Sequence, residues 1–381
     1  MEQIEVNVPN GWSWKKFEDV CVLKRGYDLP THARSVGNIP LYSANGVTDY
    51  IDQFKVEGPG VITGRSGTIG KVHFVESDYW PLNTALYVQK FNGNYPRFIK
   101  YLLEFFDLTR FSSGAAVPTL NRNSFSSELV CTPDSIDEQK RIVEKLDALL
   151  TRIDTAIKLL EESIVQADAL LKNGLSEIFK TLKLNHQVVP LSSVVMINSG
   201  IALPTVFKNG FSNGEIPFFK VAQMNNHHEN MIGPEITFNQ QISKEHKIKI
   251  FPKGSTLIPK RGGAILTNKK RMLLEDASYD SNIMGLKADE SKIRDDYLFA
   301  FMRTIDLANF VDASTIPQVN NKHIDQMQIP LACLLEQATT VERVNSLVKK
   351  TERLNIKIQS QLKDLFSLKS SILDSAFKGK L

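Results

Sequence analysis

The spacing of hydrophobic residues changes three times along the chain. Up to about residue 135 the apolar positions come in short runs between glycine turns. Gly60-Val61-Ile62-Thr63-Gly64 and Lys71-Val72-His73-Phe74-Val75 predict strands, and Pro96 to Phe106 a short amphipathic helix. From Asp137 the period becomes seven. Val143, Leu150, Ile157, Ile164, Leu171 and Ile178 form one row, and Leu146, Ile153, Leu160, Ala167 and Gly174 form a second, three residues further on. Acidic residues cluster near the start and Lys172, Lys180 and Lys183 near the end, as a helix dipole favours. The pattern predicts a coiled-coil helix from about 138 to 181, roughly 65 Å long at about 1.5 Å per residue and too long for the core of one domain. Short runs resume at 186. From about Glu336 a second heptad pattern follows, with Val341, Val348 and Leu362 in one row and Val344, Ile358, Leu365 and Ile372 in the other. Asn355 and Lys369 interrupt the first row, as polar residues do when they fix register and partner.

The order is therefore module, helix, module, helix, and the modules share more than their order. Val117-Pro118-Thr119-Leu120-Asn121-Arg122-Asn123-Ser124-Phe125 returns as Ile316-Pro317-Gln318-Val319-Asn320-Asn321-Lys322-His323-Ile324. Trp14 to Cys21 is matched by Val188 to Val195, Ile39-Pro40-Leu41-Tyr42 by Ile216-Pro217-Phe218-Phe219, and Ser66-Gly67 by Gly262-Gly263. The offset grows along the second copy, which places insertions chiefly around Asn225 to His246. A period this long is a tandem domain duplication, not a solenoid. We expect an α+β protein with a pseudo-two-fold repeat: mixed modules over 1–136 and 184–333, and two long helices, 137–183 and 334–381, that pair antiparallel.

At 381 residues the chain has room for two hydrophobic cores, and its 42% hydrophobic and 23% charged residues are those of a globular protein. No apolar run approaches the length of a membrane span, and the start lacks a signal-peptide pattern, so a cytoplasmic protein is expected. Cys21, Cys131 and Cys333 lack CxxC spacing, which argues against a zinc site and a disulfide framework alike; Cys131 and Cys333, in similar places just ahead of each helix, read as small buried hydrophobes. The net charge of +4 is unevenly spread. Residues 1–185 carry 21 Lys+Arg against 23 Asp+Glu, and the remainder of the 46 and 42 leaves 25 against 19. A nucleic-acid footprint must come from local clusters.

Gly64-Arg65-Ser66-Gly67-Thr68-Ile69-Gly70-Lys71 approaches a phosphate-binding loop, but its spacing is one residue too long and Val72 stands where a hydroxyl must hold magnesium. What remains is a glycine turn that could bring backbone amides, Arg65, Ser66 and Lys71 to a DNA phosphate, or an ordinary hairpin turn. Pro259-Lys260-Arg261-Gly262-Gly263 matches it, and Lys269-Lys270-Arg271 adds a compact cationic run. The polar segments after the matched Ile-Pro pairs contribute Tyr42 and Asn45, then Lys220 and Gln223; the repeated segment contributes Arg122. Asn and Gln can pair bidentately with adenine, while Tyr, Lys and Arg can reach phosphate. No catalytic constellation stands out: His227-His228 lack metal-ligand spacing, and neither HExxH nor GxSxG occurs.

Four segments carry a resemblance to the specificity subunits of type I DNA restriction-modification systems. They are the opening Trp12-Ser13-Trp14-Lys15-Lys16-Phe17, the Gly64 to Gly70 turn, Val117 to Asn121 leading into Asp137-Glu138-Gln139-Lys140-Arg141-Ile142-Val143, and the close from Ile372 to Leu381. The resemblance implies two target-recognition domains that read the halves of a bipartite double-stranded DNA site. It also implies helices that act as ruler and docking surface for two modification subunits, which methylate adenine with S-adenosylmethionine. Restriction subunits with an ATP- and Mg-dependent motor can join them. It implies no cofactor, metal or catalytic residue in this chain. The second module lacks the full Gly-Arg-Ser-Gly pattern, so which basic residue takes the place of Arg65 stays open. Two other readings are a stand-alone DNA-modifying enzyme, suggested by the loop at Gly64, and a coiled-coil scaffold that never touches DNA.

Overall fold

The computed structural model describes residues 8–114, 118–204, 207, 214–311 and 316–381; Val117, the first residue of the repeated segment, lies outside them. The chain divides into two compact units, 1–162 with 359–381, and 163–358.

In the first unit, Trp12–Lys16 pairs antiparallel with Leu129–Pro133. A four-stranded sheet runs in the order Val22–Arg25, Ala85–Lys90, Gly60–Gly64, Val72–Val75, and a three-stranded sheet in the order Gly46–Ile51, Val36–Ser43, Trp80–Pro81. Gly60–Gly64 is buried along its whole length, which explains why it reads as a continuous apolar run and not an alternating one. The helix Pro96–Phe106 starts on proline, where no intrahelical N–H is needed, and buries Phe98, Ile99, Leu102, Leu103 and Phe106. Phe17 closes this core, 4.9 Å from Phe106 and 5.1 Å from Phe125 between ring centroids.

The second unit repeats that plan. Val188–Pro190 pairs with Gln328–Pro330. The four-stranded sheet runs Val195–Ser199, Ile283–Ala288, Thr256–Pro259, Arg271–Met272, and the three-stranded one Ile236–Phe238, Ile216–Phe219, Ser278–Tyr279. In both three-stranded sheets the last pair is parallel, Leu41 opposite Trp80 and Phe218 opposite Ser278, which aligns the two Ile-Pro segments as the sequence suggested. The α+β duplication is thus one of topology and register.

Two long helices span Ile136–Asn185 and Leu334–Phe377. In the first unit Lys369 Nζ meets Asp154 Oδ1 at 2.7 Å and Arg141 Nη2 donates to the Leu381 carbonyl at 2.7 Å. In the second, Asn355 Nδ2 donates to Asp168 Oδ1 at 3.1 Å and His186 Nε2 lies 3.0 Å from Glu336 Oε1. Within each unit the helical segments therefore run antiparallel, and the two polar interruptions of the seam each meet an aspartate of the other helix. Val143, Leu146, Leu150, Ile153 and Ile157 are buried as the heptads require, but in the second unit Leu175, Phe179 and Leu182 are buried while Gly174 and Ile178 are only half-buried. Leu175, Phe179 and Leu182 join the core of the second module, where the Phe179 ring lies 5.5 Å from those of Tyr297 and Phe301, so here the helix buries a face toward its module beside the heptad rows.

One glutamine near the start of each long helix ties it to its module. Gln139 Nε2 donates to Asn94 Oδ1 (2.7 Å) and to the Pro133 carbonyl (3.3 Å), and its Oε1 accepts from Tyr95 N–H (2.8 Å). Gln337 donates to the carbonyls of Lys292 (2.9 Å) and Ala332 (2.8 Å) and accepts from Arg294 N–H (2.9 Å). Cys21 is buried, but Cys131 is half-buried and Cys333 exposed, so the expectation that these last two are buried hydrophobes fails: they sit where the chain leaves the module surface to enter each helix.

Candidate nucleic-acid interface

The turn after Gly60–Gly64 is held by its own backbone. Arg65 N–H and Ser66 N–H donate to the Thr84 carbonyl (2.8 and 3.1 Å), Gly67 N–H to Pro118 (3.0 Å), and Leu120 N–H to Arg65 (2.8 Å). Gly67 has φ +84°, which a residue with a Cβ adopts only with strain. In the second unit Lys260 N–H donates to Asn282 (2.7 Å), Gly262 N–H to Pro317 (2.9 Å), and Val319 N–H to Lys260 (3.0 Å), with Gly262 at φ +73°. The same bonds in the same order settle the alignment: Lys260 stands in the place of Arg65, Arg261 in that of Ser66, and Gly262 in that of Gly67. Matching Ser66-Gly67 with Gly262-Gly263 is thus wrong by one residue. The amides of Arg65, Ser66 and Gly67 are already bonded to carbonyls, so these three are not open to an anion.

The first module gathers most of its candidates around this turn. A Cβ on Gly64 would stand 3.3 Å from that of Ala44 and overlap the Thr68 carbonyl, so the hairpin turn carrying exposed Asn45 packs directly against it. The Tyr42 ring lies 6.1 Å from that of His73, and burial raises the Tyr42 phenol above its ordinary pKa. Arg65 is half-buried and donates to the Asn83 carbonyl at 3.3 Å; Lys71 is exposed. Arg122 is exposed but spends one guanidinium nitrogen on the Leu23 carbonyl at 3.2 Å. Sequence reasoning missed His73. Burial, reinforced by Lys71, lowers its pKa, and its Nε2 is buried without a hydrogen-bond partner beside the Asn45 turn.

In the second module the candidates separate into two groups. Arg261 is exposed, Lys260 Nζ donates to Ser199 Oγ at 3.0 Å, Lys220 pairs with Glu235 at 3.0 Å, and Lys269 donates to Asn225 Oδ1. Gln223, Lys270 and Arg271 are buried instead. Gln223 Oε1 accepts from Lys220 N–H at 2.6 Å. Lys270 Nζ donates to Asn268 Oδ1 (2.6 Å) and the Ile305 carbonyl (2.5 Å), and burial, only partly offset by Asp306, lowers its pKa to about 7. Arg271 donates to the carbonyls of Met224 (2.9 Å) and Lys270 (2.6 Å), with burial lowering its pKa too. The exposed cationic cluster expected at Lys269-Lys270-Arg271 is therefore largely an internal brace that clamps the 221–225 turn onto the 268–272 segment.

The model of the type I restriction modification DNA specificity domain matches residues 9–162 and again residues 184–364. A putative type I restriction enzyme specificity subunit of Haemophilus influenzae is 24% identical over 368 residues, 92% of this chain and 90% of its own. The StySPI type I specificity subunit of Salmonella potsdam is 25% identical over 294 residues, 72% of this chain and 62% of its own. A solved chain from work on complex assembly and conformational transition of the type I R-M system shares the fold, with a TM-score of 0.74 at 18% identity, covering 98% of this chain and 100% of its own.

Proposed function

The chain belongs to the family of type I restriction-modification DNA specificity domains, and from that premise we propose that each module reads one half of a bipartite duplex site. As a whole the chain is a DNA sequence-specificity subunit of a type I system. The observation that carries the finer reading is the shared turn: Arg65 in one module and Lys260 in the other stand on the same hydrogen-bonded frame, beside loops of different length and chemistry. A common frame suits phosphate contacts, which position a protein without reading sequence, and divergent loops suit base readout. Arg65, Lys71, Lys260, Arg261 and Lys269 are assigned to the backbone. Asn45, Ser66, Tyr42 and Lys220 are assigned to the groove.

This reading gives the chain no chemical step. Methyl transfer from S-adenosylmethionine falls to modification subunits docked on the long helices, and ATP-driven work to restriction subunits where present. Those helices also set the gap between half-sites. Selecting bound duplexes from a random library with the purified chain tests the proposal: two short motifs at a fixed gap support it, whereas one uninterrupted motif or indifference to sequence contradicts it.

A further inference from the structure

The second unit carries an open cavity of about 750 Å³, walled by segments of both long helices, by the Thr267–Arg271 stretch and by the inserted loop at His228 and Glu229. His228, Glu229 and Glu352 each point one ligand atom at the others, all within 4.8 Å. His228 Nε2 lies 2.8 Å from Glu352 Oε1, a direct contact that a bound ion would replace, since two ligands on one tetrahedral zinc stand about 3.3 Å apart. The loop is shaped for this. His227 turns its Nδ1 inward, where it accepts from Glu229 N–H and Asn230 N–H at 3.1 Å each, and leaves His228 to face the helix. Glu229 is anchored by Arg303, an outer partner of the kind that orients a ligating carboxylate. Asn355, three residues beyond Glu352, lines the same cavity and donates from Nδ2 to Asp168 Oδ1 at 3.1 Å.

We propose that His228, Glu229 and Glu352 form a zinc site that clips the inserted loop of the second module to the C-terminal helix. One imidazole and two carboxylates are a borderline donor set that suits Zn²⁺, with bonds of about 2.0 to 2.2 Å. Magnesium and calcium, which call for all-oxygen shells of six or more ligands, are poorly served. Three protein ligands leave a fourth position for water on the cavity side. Sequence spacing could not reveal the site, because adjacent histidines lack ligand spacing and the third ligand lies more than a hundred residues away.

The test is calorimetric titration of chelator-stripped full-length protein with zinc chloride, with magnesium chloride in parallel. Wild type and His32→Ala, which changes an exposed histidine elsewhere, should bind the same number of zinc ions, and His228→Ala and Glu352→Gln one fewer. Zinc should raise the thermal midpoint of the wild type by about 2 to 4 °C. Magnesium should not, and neither variant should respond to zinc. Equal stoichiometry in wild type and both variants overturns the proposal, as does an equal response to magnesium. Should His228→Ala fail to fold, Glu352→Gln, which keeps shape and polarity, decides alone.

Discussion

Gln139 and Gln337 each tie a module to its helix. Each fills three hydrogen bonds in a space closed to water, so truncation strands a carbonyl and an N–H together. Gln139→Ala should cost about 2 to 4 kcal/mol, the sum of lost bonds and unsatisfied groups. The drop should be read from the urea midpoint of the first unit's transition, and an unchanged midpoint would mean water replaces the amide. For the basic residues the expected readout is salt. Arg65→Ala and Lys260→Ala should each reduce the slope of log K against log salt by about 0.9. Lys270→Met should leave that slope alone, because its amine is bonded inside the protein. Lys270 also predicts a pH effect. Burial lowers its folded pKa to about 7, while the unfolded chain holds the proton up to about 10.4. Between those values the unfolded state binds more protons, so stability rises with pH; below about 7 both states are protonated and the cost of the buried charge stands in full. Thermal midpoints measured from pH 6 to 10 should climb less steeply in Lys270→Met than in the wild type, and parallel curves would place the amine in water.

Among the elements, those with a strong period were legible and those defined by partners were not. The helices announced themselves because heptads persist whatever packs on them, whereas the burial of Leu175 and Phe179 depends on the Tyr297 and Phe301 rings they meet, partners that spacing along the helix does not name. The matched turns could be found by eye but not aligned, since a Gly-Gly pair offers two registers and only the bonds to Pro317 and Asn282 choose. Lys270 and Arg271 were misread because sequence gives charge without burial. Gln139 sat in a quoted motif, yet a polar residue in a first helical turn reads as surface. The polar seam pairs supply a cleaner test of the helices as a ruler. Asp154 and Asp168 are 14 residues apart, as are Asn355 and Lys369, so deleting 157–163 together with 359–365 keeps both pairs in step. The lost rise of about 10 Å should shorten the preferred gap by up to about three base pairs. An unchanged gap at full affinity would give the ruler's role to partner subunits.

Taken whole, the molecule carries little net charge for a DNA-binding protein, +4, so the proposed reading rests its hold on DNA on a few placed cations and on duplication. Among the described residues no helix is long and apolar enough to cross a membrane. The family places the chain in a type I system with DNA and other subunits of that system, and the proposed function requires that its two modules read independently. The most direct measurement exchanges residues 1–136 for the equivalent module of a related specificity subunit and maps adenine methylation across a genome. The account predicts that one half of the methylated site changes while the other half and the gap stay as they were; a simultaneous change in both halves, or none in either, would contradict it.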